Sequence, residues 1–431
     1  MNSEEDAAVS LIWQRSKNVA QVQSSTPLRY AVLKMDESQP IVLQESAALI
    51  WQKLNNGMTP VSLAEFVTTA YDIDFGNAYT QIIEFTQSLT LRQMLTPAAP
   101  IIRFDDDPAT VVDPQAVPPS NHRHESTNLS LQEAVLLIHA QLAYLSEVTG
   151  TRALLIKGPG ASLQGLRATH QSTDADIWVD PTDEDTFMSR LQDLGWQRRP
   201  TDPSGSPFPP HATTLYHKEW PCDIDVHHHI PGMEKSSETC FEKFWAERSS
   251  ILIAGQSIPV PSISGSVVIL ALNALRNLHM ARSSTEYQSL TERRTHNIDE
   301  IMNLAVETNC IAALKPFLIA IMGEAETRHW PSTSANWDLL SSDASDAEKR
   351  INHFLTAPWR NKPRLLYNAL FPSDSVLQLR NLYQDTSVHG KTKSYIRRYR
   401  RGLSTGLKML NRIFRQKFKN LLRSGETTDI Q

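Results

Sequence analysis

The sequence has few cysteines and no long apolar run. Its three cysteines, Cys222, Cys240 and Cys310, are too few and too irregularly spaced for a disulfide framework or a zinc knuckle. No stretch approaches the ~18 uninterrupted apolar residues of a membrane-spanning helix. The start of the chain is acidic, where a secretory signal is basic and then apolar. These absences predict a cytoplasmic protein with reduced thiols.

The composition is that of a globular chain whose charge is unevenly distributed. Apolar residues make up 40% of the 431 residues, and at ~150 residues per domain this length predicts two or three cores. Twelve Lys or Arg residues and no acidic residue lie between Lys391 and Arg423, so the formal charge of −5 leaves −17 (−5 − 12) for the remainder. We therefore expect the basic tail and the acidic body to bind different partners or each other.

The segment before residue 105 predicts a small unit with a hairpin and three helices. Residues 29–35 and 41–43 are apolar runs on either side of a turn-forming segment, which indicates two antiparallel strands. Helical stretches follow at residues 47–54 and 61–71, and a third begins after Asn77. A hairpin followed by three short helices is typical of a winged-helix-like domain.

The spacing within residues 29–95 resembles that of the PqqD-like family, the precursor-peptide recognition domains of ribosomal peptide maturation. The residues that carry the resemblance include Ile41, Ala48, Trp51, Leu54, Gly57, Tyr71, Ile73 and Asp74. It implies that a leader peptide adds as a strand to the edge of the hairpin. Two alternatives stay open, a winged helix that only packs against the next domain and one that binds DNA. The few basic residues of the region disfavour DNA.

A change in composition marks a linker at residues 106–128. This segment contains four prolines and shows no apolar periodicity, which is typical of an exposed connection. A helix is predicted to follow, with Ser130 as its N-cap and an apolar stripe along one side.

A short apolar strand and a glycine turn introduce the first polar residues of interest. Residues 153–157 end in Lys157, and the turn Gly158-Pro-Gly160-Ala-Ser162 leads into a helix. Backbone N–H groups at such a turn can hold phosphate oxygens, although glycine turns between a strand and a helix are usually only turns. It is not a Walker loop, because the spacing to a Lys-Ser/Thr pair is absent.

Two groups of carboxylates follow on separate predicted strands. Because side chains alternate along a strand, Asp174 and Asp176 share one face of the first. Asp223, Asp225 and His227 share one face of the second, which is half of a predicted hairpin over residues 213–230. Neighbouring carboxylates repel each other unless a cation lies between them. The pattern predicts a Mg²⁺ site that can also bind substrate phosphates, although solvated strand ends with incidental acids are common.

These motifs together resemble an uncharacterised nucleotidyltransferase family related to the minimal nucleotidyltransferase fold. The resemblance covers residues 131–304 and includes Lys157-Gly158-x-x-Ala161, Asp174-x-Asp176, Leu194-Gly195-Trp196 and Asp223-Ile-Asp225-Val-His227. It implies that Asp174, Asp176 and Asp225 are the catalytic carboxylates and the metal ligands, with Mg²⁺ as the cofactor. It also implies nucleotide or phosphate contacts from Lys157, Gly158, Gly160, Ser162 and His227.

The three consecutive histidines at 227–229 raise the alternative of a zinc site. Since consecutive residues of a strand face opposite sides, at most His227 and His229 can bind one ion together. We favour an orienting or phosphate-binding role for His227.

The rear of the chain is predicted to be helical and to end in a basic amphipathic helix. Apolar residues recur at three- and four-residue intervals from Leu403 to Leu421 among basic side chains. Such a tail fits packing on the acidic body or on a partner protein, and an anionic membrane surface is a further candidate. RNA is an equal candidate for the tail, because no aromatic ladder or RNA-binding motif separates it from the membrane surface, whereas we expect no nucleic-acid partner for the rest of the chain.

These observations predict an α+β protein with five parts. They are a winged-helix-like, PqqD-like domain (1–105), a linker (106–128), a nucleotidyltransferase domain with a mixed β-sheet and flanking helices (129–262), a helical extension (263–385) and the basic amphipathic tail (386–431).

The predicted activity is Mg²⁺-dependent transfer of a nucleoside monophosphate from a nucleoside triphosphate to a leader-bound ribosomal peptide, or to a group on that peptide. The expected partners are the nucleoside triphosphate, the precursor leader peptide and other maturation enzymes. Two alternatives are the same chemistry on a small molecule, and an inactive scaffold that only binds the peptide.

Overall fold

The structure is a computed structural model that describes most of the chain between residues 12 and 371. The described residues are 12–97 (except 26 and 56), 129–168, 172–199, 210–293, 297–323, 330–371 (except 345), and residues 392, 396, 399 and 400. The predicted linker, residues 372–385 of the predicted helical extension and nearly all of the predicted basic tail lie outside them.

The chain divides into two compact units. The first contains Met1–Arg198, His211–Leu275 and Ala281–Pro331, and it includes every residue that the sequence predicts for the active site. The second contains Arg199–Pro210, Arg276–Met280 and the chain from Ser332 onward.

The N-terminal part of the first unit consists of two small sheets and three helices. Its elements are β1 (Trp13–Arg15), β2 (Val19–Ser25), β3 (Leu28–Lys34), β4 (Ile41–Gln44), α1 (Glu45–Asn55), α2 (Pro60–Tyr71), α3 (Phe75–Leu91) and β5 (Leu95–Pro97). Strands β2, β3 and β4 form an antiparallel sheet in that order, and β1 pairs with β5. The predicted hairpin is present as β3 and β4. Helix α3 begins before Asn77, because the side chain of Asp74 accepts a hydrogen bond from the Asn77 N–H and caps the helix.

The sheet β2–β3–β4 is buried on both of its faces. One face packs on helices α1–α3 through Val19, Tyr30, Val32 and Leu43. The other face contributes to the core of the central domain through Ala20, Val22, Ala31 and Leu33. The N-terminal part and the central domain therefore share one sheet, and packing on this sheet fixes their relative orientation.

The central domain is built on a five-stranded mixed sheet. Its elements are α4 (Leu131–Thr149), β6 (Ala153–Leu155), α5 (Gly158–Leu163), β7 (Asp174–Val179), α6 (Glu184–Asp193), β8 (Gln197–Arg198), β9 (Ala212–Tyr216), β10 (Asp223–His227), α7 (Ser237–Ala246), β11 (Ser249–Ile253) and β12 (Gln256–Val260). The sheet order is β6-β7-β10-β9-β8. Strands β7 and β10 are parallel, whereas β9 and β10 form the predicted antiparallel hairpin.

Helix α4 connects the shared sheet to the central domain. Ser130 and Glu133 form a reciprocal capping box at its start. The carboxylate of Glu133 is fully buried and accepts hydrogen bonds from Arg29 Nε (2.9 Å) and Nη2 (2.8 Å). Arg29 lies on β3, so this bidentate ion pair joins the N-terminal sheet to α4.

Helices complete both units. The first unit continues with α8 (Ile263–Arg276), whose last residue is assigned to the second unit, and with α9 (Ala281–Glu292), α10 (Ile298–Glu307) and α11 (Ile311–Met322). The second unit contains α12 (Ala335–Ser341), α13 (Asp346–Thr356) and α14 (Lys362–Leu370). Among the helices of the described residues, none combines the length and the apolar character needed to cross a membrane.

Candidate active site

The parallel pairing of β7 with β10 brings the predicted acidic residues together. In this register Asp176 lies opposite Asp225, and Asp174 lies opposite Asp223. Ligand atoms of Asp176, Asp225 and His227 all lie within 4.8 Å of one another. In the described part of the chain this is the only group of three or more His, Cys, Asp or Glu side chains placed so closely.

The alternation of side chains along the two strands explains this arrangement. Ile177 on β7 and Ile224 and Val226 on β10 are buried in the apolar core, which leaves the polar residues on the opposite face. Asp176 is only 7% exposed and His227 only 2% exposed. A charged carboxylate at that depth requires nearby compensating groups.

Asp176 has two such groups at one of its oxygens. Its Oδ1 accepts hydrogen bonds from Lys157 Nζ and from His227 Nε2, each at 2.8 Å, and the two nitrogens are 3.4 Å apart. Burial alone would raise the pKa of Asp176, but the nearby Lys157 charge and the contacts with His227 outweigh it and hold this pKa well below its usual range. The contacts with Lys157 and His227 therefore favour the ionised form of Asp176.

Asp225 has a different environment. Its Oδ1 accepts a hydrogen bond of 2.6 Å from the hydroxyl of Thr214 on β9. Burial is the main reason that the pKa of Asp225 is raised to about 6. The charges of Asp176 and Asp174 act in the same direction, and the hydrogen bond from Thr214 offsets only part of the rise. Asp225 thus carries a charge that the folded protein disfavours until a cation binds nearby.

Asp174 lies at the start of β7 and is not part of the close cluster. Ser172 Oγ donates a hydrogen bond of 3.2 Å to Asp174 Oδ1. Burial and the charge of Asp176 raise the pKa of Asp174. Its assignment as a metal ligand remains a prediction from the sequence.

Lys157 and the glycine turn lie directly beside this cluster. The N–H of Ile156 donates to the carbonyl of Asp176 (3.1 Å), which fixes the position from which Lys157 extends. Lys157 has φ 58° and ψ −139°, a backbone conformation that residues with a side chain rarely adopt. Such strained residues concentrate at functional sites. Gly158, Gly160 and Ser162, three more of the predicted phosphate contacts, all lie within α5, so the segment predicted as a turn before a helix is the beginning of the helix itself.

Arg167, which is partly exposed, and His139, which is buried, contact the segment around Gly158. Arg167 donates from Nη2 to the Gly158 carbonyl and from Nη1 to Glu286 on α9, both at 3.0 Å. The ring of His139 on α4 lies 3.8 Å from the position that a Cβ on Gly158 would occupy. Burial lowers the pKa of His139 to about 4, so its imidazole is neutral.

Sequence reasoning missed three of these neighbours. Thr214 was predictable in principle, because it lies on the predicted hairpin on the same face as Asp225, its partner in the register. His139 and Arg167 carry no comparable signal. Each belongs to an ordinary helix or loop sequence, and its role depends on tertiary packing.

The donor set fits a divalent cation. Two carboxylates at short range supply the oxygen ligands that Mg²⁺ and Mn²⁺ prefer, and the imidazole of His227 either binds the ion or orients Asp176 through their hydrogen bond. His229, considered above for zinc, is not part of this cluster.

A family model described as uncharacterised nucleotidyltransferase matches residues 113–320. The match covers just under half of the chain and includes the whole residue cluster around Asp176. It supports the nucleotidyltransferase domain predicted from the sequence. No curated protein matches the sequence.

Solved structures show only distant likeness. A lincosamide antibiotic adenylyltransferase, LnuA, in its lincomycin-bound form is 17% identical, and the alignment covers 36% of this chain and 95% of that one with a TM-score of 0.25. An antigenic nucleotidyltransferase-like protein from Paracoccidioides brasiliensis is 10% identical, and the alignment covers 44% of this chain and 93% of that one with a TM-score of 0.27. At these scores the likenesses support no conclusion about this chain.

Proposed function

We propose that the protein is a metal-dependent nucleotidyltransferase that acts in the cytoplasm. The observation that carries the proposal is the cluster of Asp176, Asp225 and His227 beside the Lys157 turn, within a segment that matches a nucleotidyltransferase family. In the proposed reaction an acceptor oxygen attacks the α-phosphorus of a nucleoside triphosphate. The new O–P bond forms as the bond to pyrophosphate breaks, and the acceptor loses its proton.

The residues of the chain have distinct parts in this proposal. Asp176 and Asp225, with Asp174 at the strand start, hold Mg²⁺ or a similar cation, which when bound polarises the phosphate oxygens and activates the acceptor. The backbone of Gly158 and Gly160, the Ser162 hydroxyl and Lys157 contact the phosphate chain. The hydrogen bond from Thr214 orients Asp225, and the contact with His227 orients Asp176.

Activity can be tested by following the transfer of label from a nucleotide to a candidate acceptor. The full chain would be incubated with each α-³²P-labelled nucleoside triphosphate, Mg²⁺ and a candidate acceptor, and both transferred label and released pyrophosphate would be measured. We expect transfer by the wild type and a loss of at least about a hundredfold in Asp176→Asn. Equal signals from the two proteins would count against catalysis at this site.

We further propose that the acceptor is a ribosomally made precursor peptide, or a group on it, that the N-terminal sheet holds by strand addition. One outer edge of the sheet is already engaged, because the Gln21 N–H on β2 donates to the Ala254 carbonyl (3.2 Å). At the other edge, no strand of the described residues pairs with the outer side of β4. An unpaired edge of this kind offers backbone donors and acceptors to an extended peptide.

The shared sheet changes how a bound peptide would reach the active site. Because β3 packs on the central domain and is joined to α4 by the Arg29–Glu133 ion pair, a leader on β4 is held in a fixed orientation to the site. This pre-organisation adds to the rise in local concentration that any tether provides. It also requires that binding be measured on the full chain.

Backbone methylation of the leader tests strand addition directly. A fluorescent leader peptide from a neighbouring precursor gene would be titrated against the full chain, and anisotropy recorded. Alternate N–H groups of a strand point to opposite sides, so only every second N–H of a bound leader would face β4. N-methylation of those residues should abolish binding, whereas N-methylation of the residues between them should leave binding nearly unchanged. Equal binding of both methylated peptides would contradict strand addition, and no binding of the unmethylated leader would favour a small-molecule acceptor.

A further inference from the structure

Lys157 places its ammonium in direct contact with Asp176, one of the candidate metal-binding carboxylates. Its ammonium lies 2.8 Å from Asp176 Oδ1 and 3.4 Å from His227 Nε2. It therefore lies next to two of the three side chains of the cluster of Asp176, Asp225 and His227. The side chain is mostly buried, with 15% of it exposed. The ammonium therefore sits against the same carboxylate oxygen that would bind a divalent cation.

Simultaneous occupancy is unfavourable on electrostatic grounds. An ion bound through Asp176 Oδ1 would lie within a few ångströms of the ammonium, and like charges at that range in a poorly solvated cleft repel strongly. The strained backbone of Lys157 holds the start of the side chain at the edge of the cluster. The long side chain, in contrast, has rotatable bonds that let the ammonium move toward the glycine turn that follows it.

We propose that Lys157 is a resident counter-cation that exchanges between Asp176 and the phosphate chain of the nucleotide. Without nucleotide, the ammonium neutralises Asp176 and weakens the binding of a free divalent ion. When a triphosphate binds together with a divalent cation, the Lys157 ammonium leaves Asp176, which would then hold the cation, and binds the phosphates. This inference rests on the proposed function, and it adds that metal and nucleotide bind tightly only together.

If Lys157 competes with the metal for Asp176, replacing Lys157 by an uncharged residue should increase the affinity of the protein for a divalent ion. Mn²⁺ binding to the full chain would be measured by the loss of the free-ion electron paramagnetic resonance signal, with no nucleotide present. We expect Lys157→Met and Lys157→Gln to bind Mn²⁺ about tenfold or more tightly than the wild type, and Lys157→Arg to resemble the wild type. Lys243→Met is the matched control, because Lys243 forms a 2.8 Å ion pair with Glu307 away from the cluster, and it should leave Mn²⁺ affinity unchanged.

The wild type itself provides a second measurement that does not depend on a variant that folds. Mass spectrometry would quantify the modification of Lys157 by an amine-reactive reagent. We expect saturating Mn²⁺ to increase the modification severalfold, because the ammonium leaves Asp176, and added inorganic tripolyphosphate to reduce it again.

The outcomes separate the two proposals. Unchanged or weaker Mn²⁺ binding in folded Lys157→Met and Lys157→Gln, or modification of Lys157 that does not respond to Mn²⁺, would overturn the exchange while leaving the metal site in place. No Mn²⁺ binding by any of the proteins, even at millimolar concentrations, would overturn the metal-dependent function and the exchange with it.

Discussion

Asp176 and Asp225 lie opposite each other in the register of two parallel strands, yet the pKa values of their carboxyl groups are shifted in opposite directions. Burial acts on both in the same sense. The difference arises because Asp176 accepts hydrogen bonds from Lys157 and His227, whereas Asp225 accepts one from the neutral hydroxyl of Thr214. The same substitution at the two positions should therefore have opposite effects on stability.

Asp225→Asn should stabilise the metal-free protein. A raised folded-state pKa contributes stability that is present below the unfolded pKa of 3.8 and is lost as pH rises through about 6. At pH 8 the wild type carries the full cost of the buried charge, so the variant should be more stable by about 1–3 kcal/mol. Urea denaturation in a chelator at pH 8 and pH 5 checks this. The difference should shrink at the lower pH, and a variant less stable at pH 8 would refute the assignment.

Asp176→Asn should destabilise the protein at neutral pH. A lowered folded-state pKa contributes stability that is present above the unfolded pKa and is lost only as pH falls through the folded value. Replacing the carboxylate leaves the buried Lys157 ammonium uncompensated, at a cost of about 3–5 kcal/mol. Asp185→Asn, at an exposed position on α6, is the control and should change stability by less than about 0.5 kcal/mol. Similar unfolding free energies for the two variants would contradict the role of the Lys157 contact.

Gly158 and Gly160 both lie in α5 but should respond differently to alanine. Gly158 has φ +42°, a conformation that costs a residue with a side chain about 1 kcal/mol, although a Cβ there would meet only ordinary contacts. Gly160 lies within α5, where a Cβ has room at 3.6 Å and alanine favours helix more than glycine does. Chemical denaturation should show Gly158→Ala as destabilising and Gly160→Ala as neutral or slightly stabilising. The reverse order would show that the turn has another conformation.

The ion pair between Arg29 and Glu133 should couple the N-terminal sheet to the central domain. Arg29→Met leaves the carboxylate of Glu133 buried without its cation, and we expect a loss of about 3–5 kcal/mol. Arg92→Met removes a more exposed ion pair with Glu37 and should cost no more than about 1 kcal/mol. Hydrogen exchange followed by mass spectrometry should show that β3 and α4 lose protection together in Arg29→Met. Loss of protection confined to the N-terminal helices would contradict the coupling.

The three thiols should be unreactive in the native protein. Burial raises the pKa of Cys240 to about 11 and that of Cys310 to about 12, and it shifts the pKa of Cys222 upward as well. Because the thiolate is the reactive form, a thiol reagent at pH 8 should modify the folded chain at least about a hundredfold more slowly than the unfolded chain. Rapid labelling of any one of them under native conditions would place that cysteine at the surface.

Elements with a clear alternation of polar and apolar residues could be predicted from the sequence. The hairpin of β9 and β10 and the shared face of Asp223, Asp225 and His227 follow from strict alternation. The backbone of Lys157 did not follow, because its positive φ occurs at a residue that gives no such signal.

The double burial of the N-terminal sheet also escaped prediction. Residues 30–33 on β3 are all apolar, which is the signal of a strand covered on both faces, but the partner on the second face lies about a hundred residues away in helix α4. Contacts at that separation depend on tertiary structure and not on local periodicity.

The shared sheet has a consequence for how this chain can change over evolutionary time. Substitutions at Ala31 or Leu33 are constrained by packing against the central domain, including α4. Substitutions at Tyr30 or Val32, on the opposite face of the same strand, are constrained by packing against the three small helices. Exchanging the N-terminal part for a homologous one would require a matched surface on α4. Under the proposed strand addition, variants with new specificity should therefore arise by changes along the outer edge of β4 rather than by exchange of the whole N-terminal part.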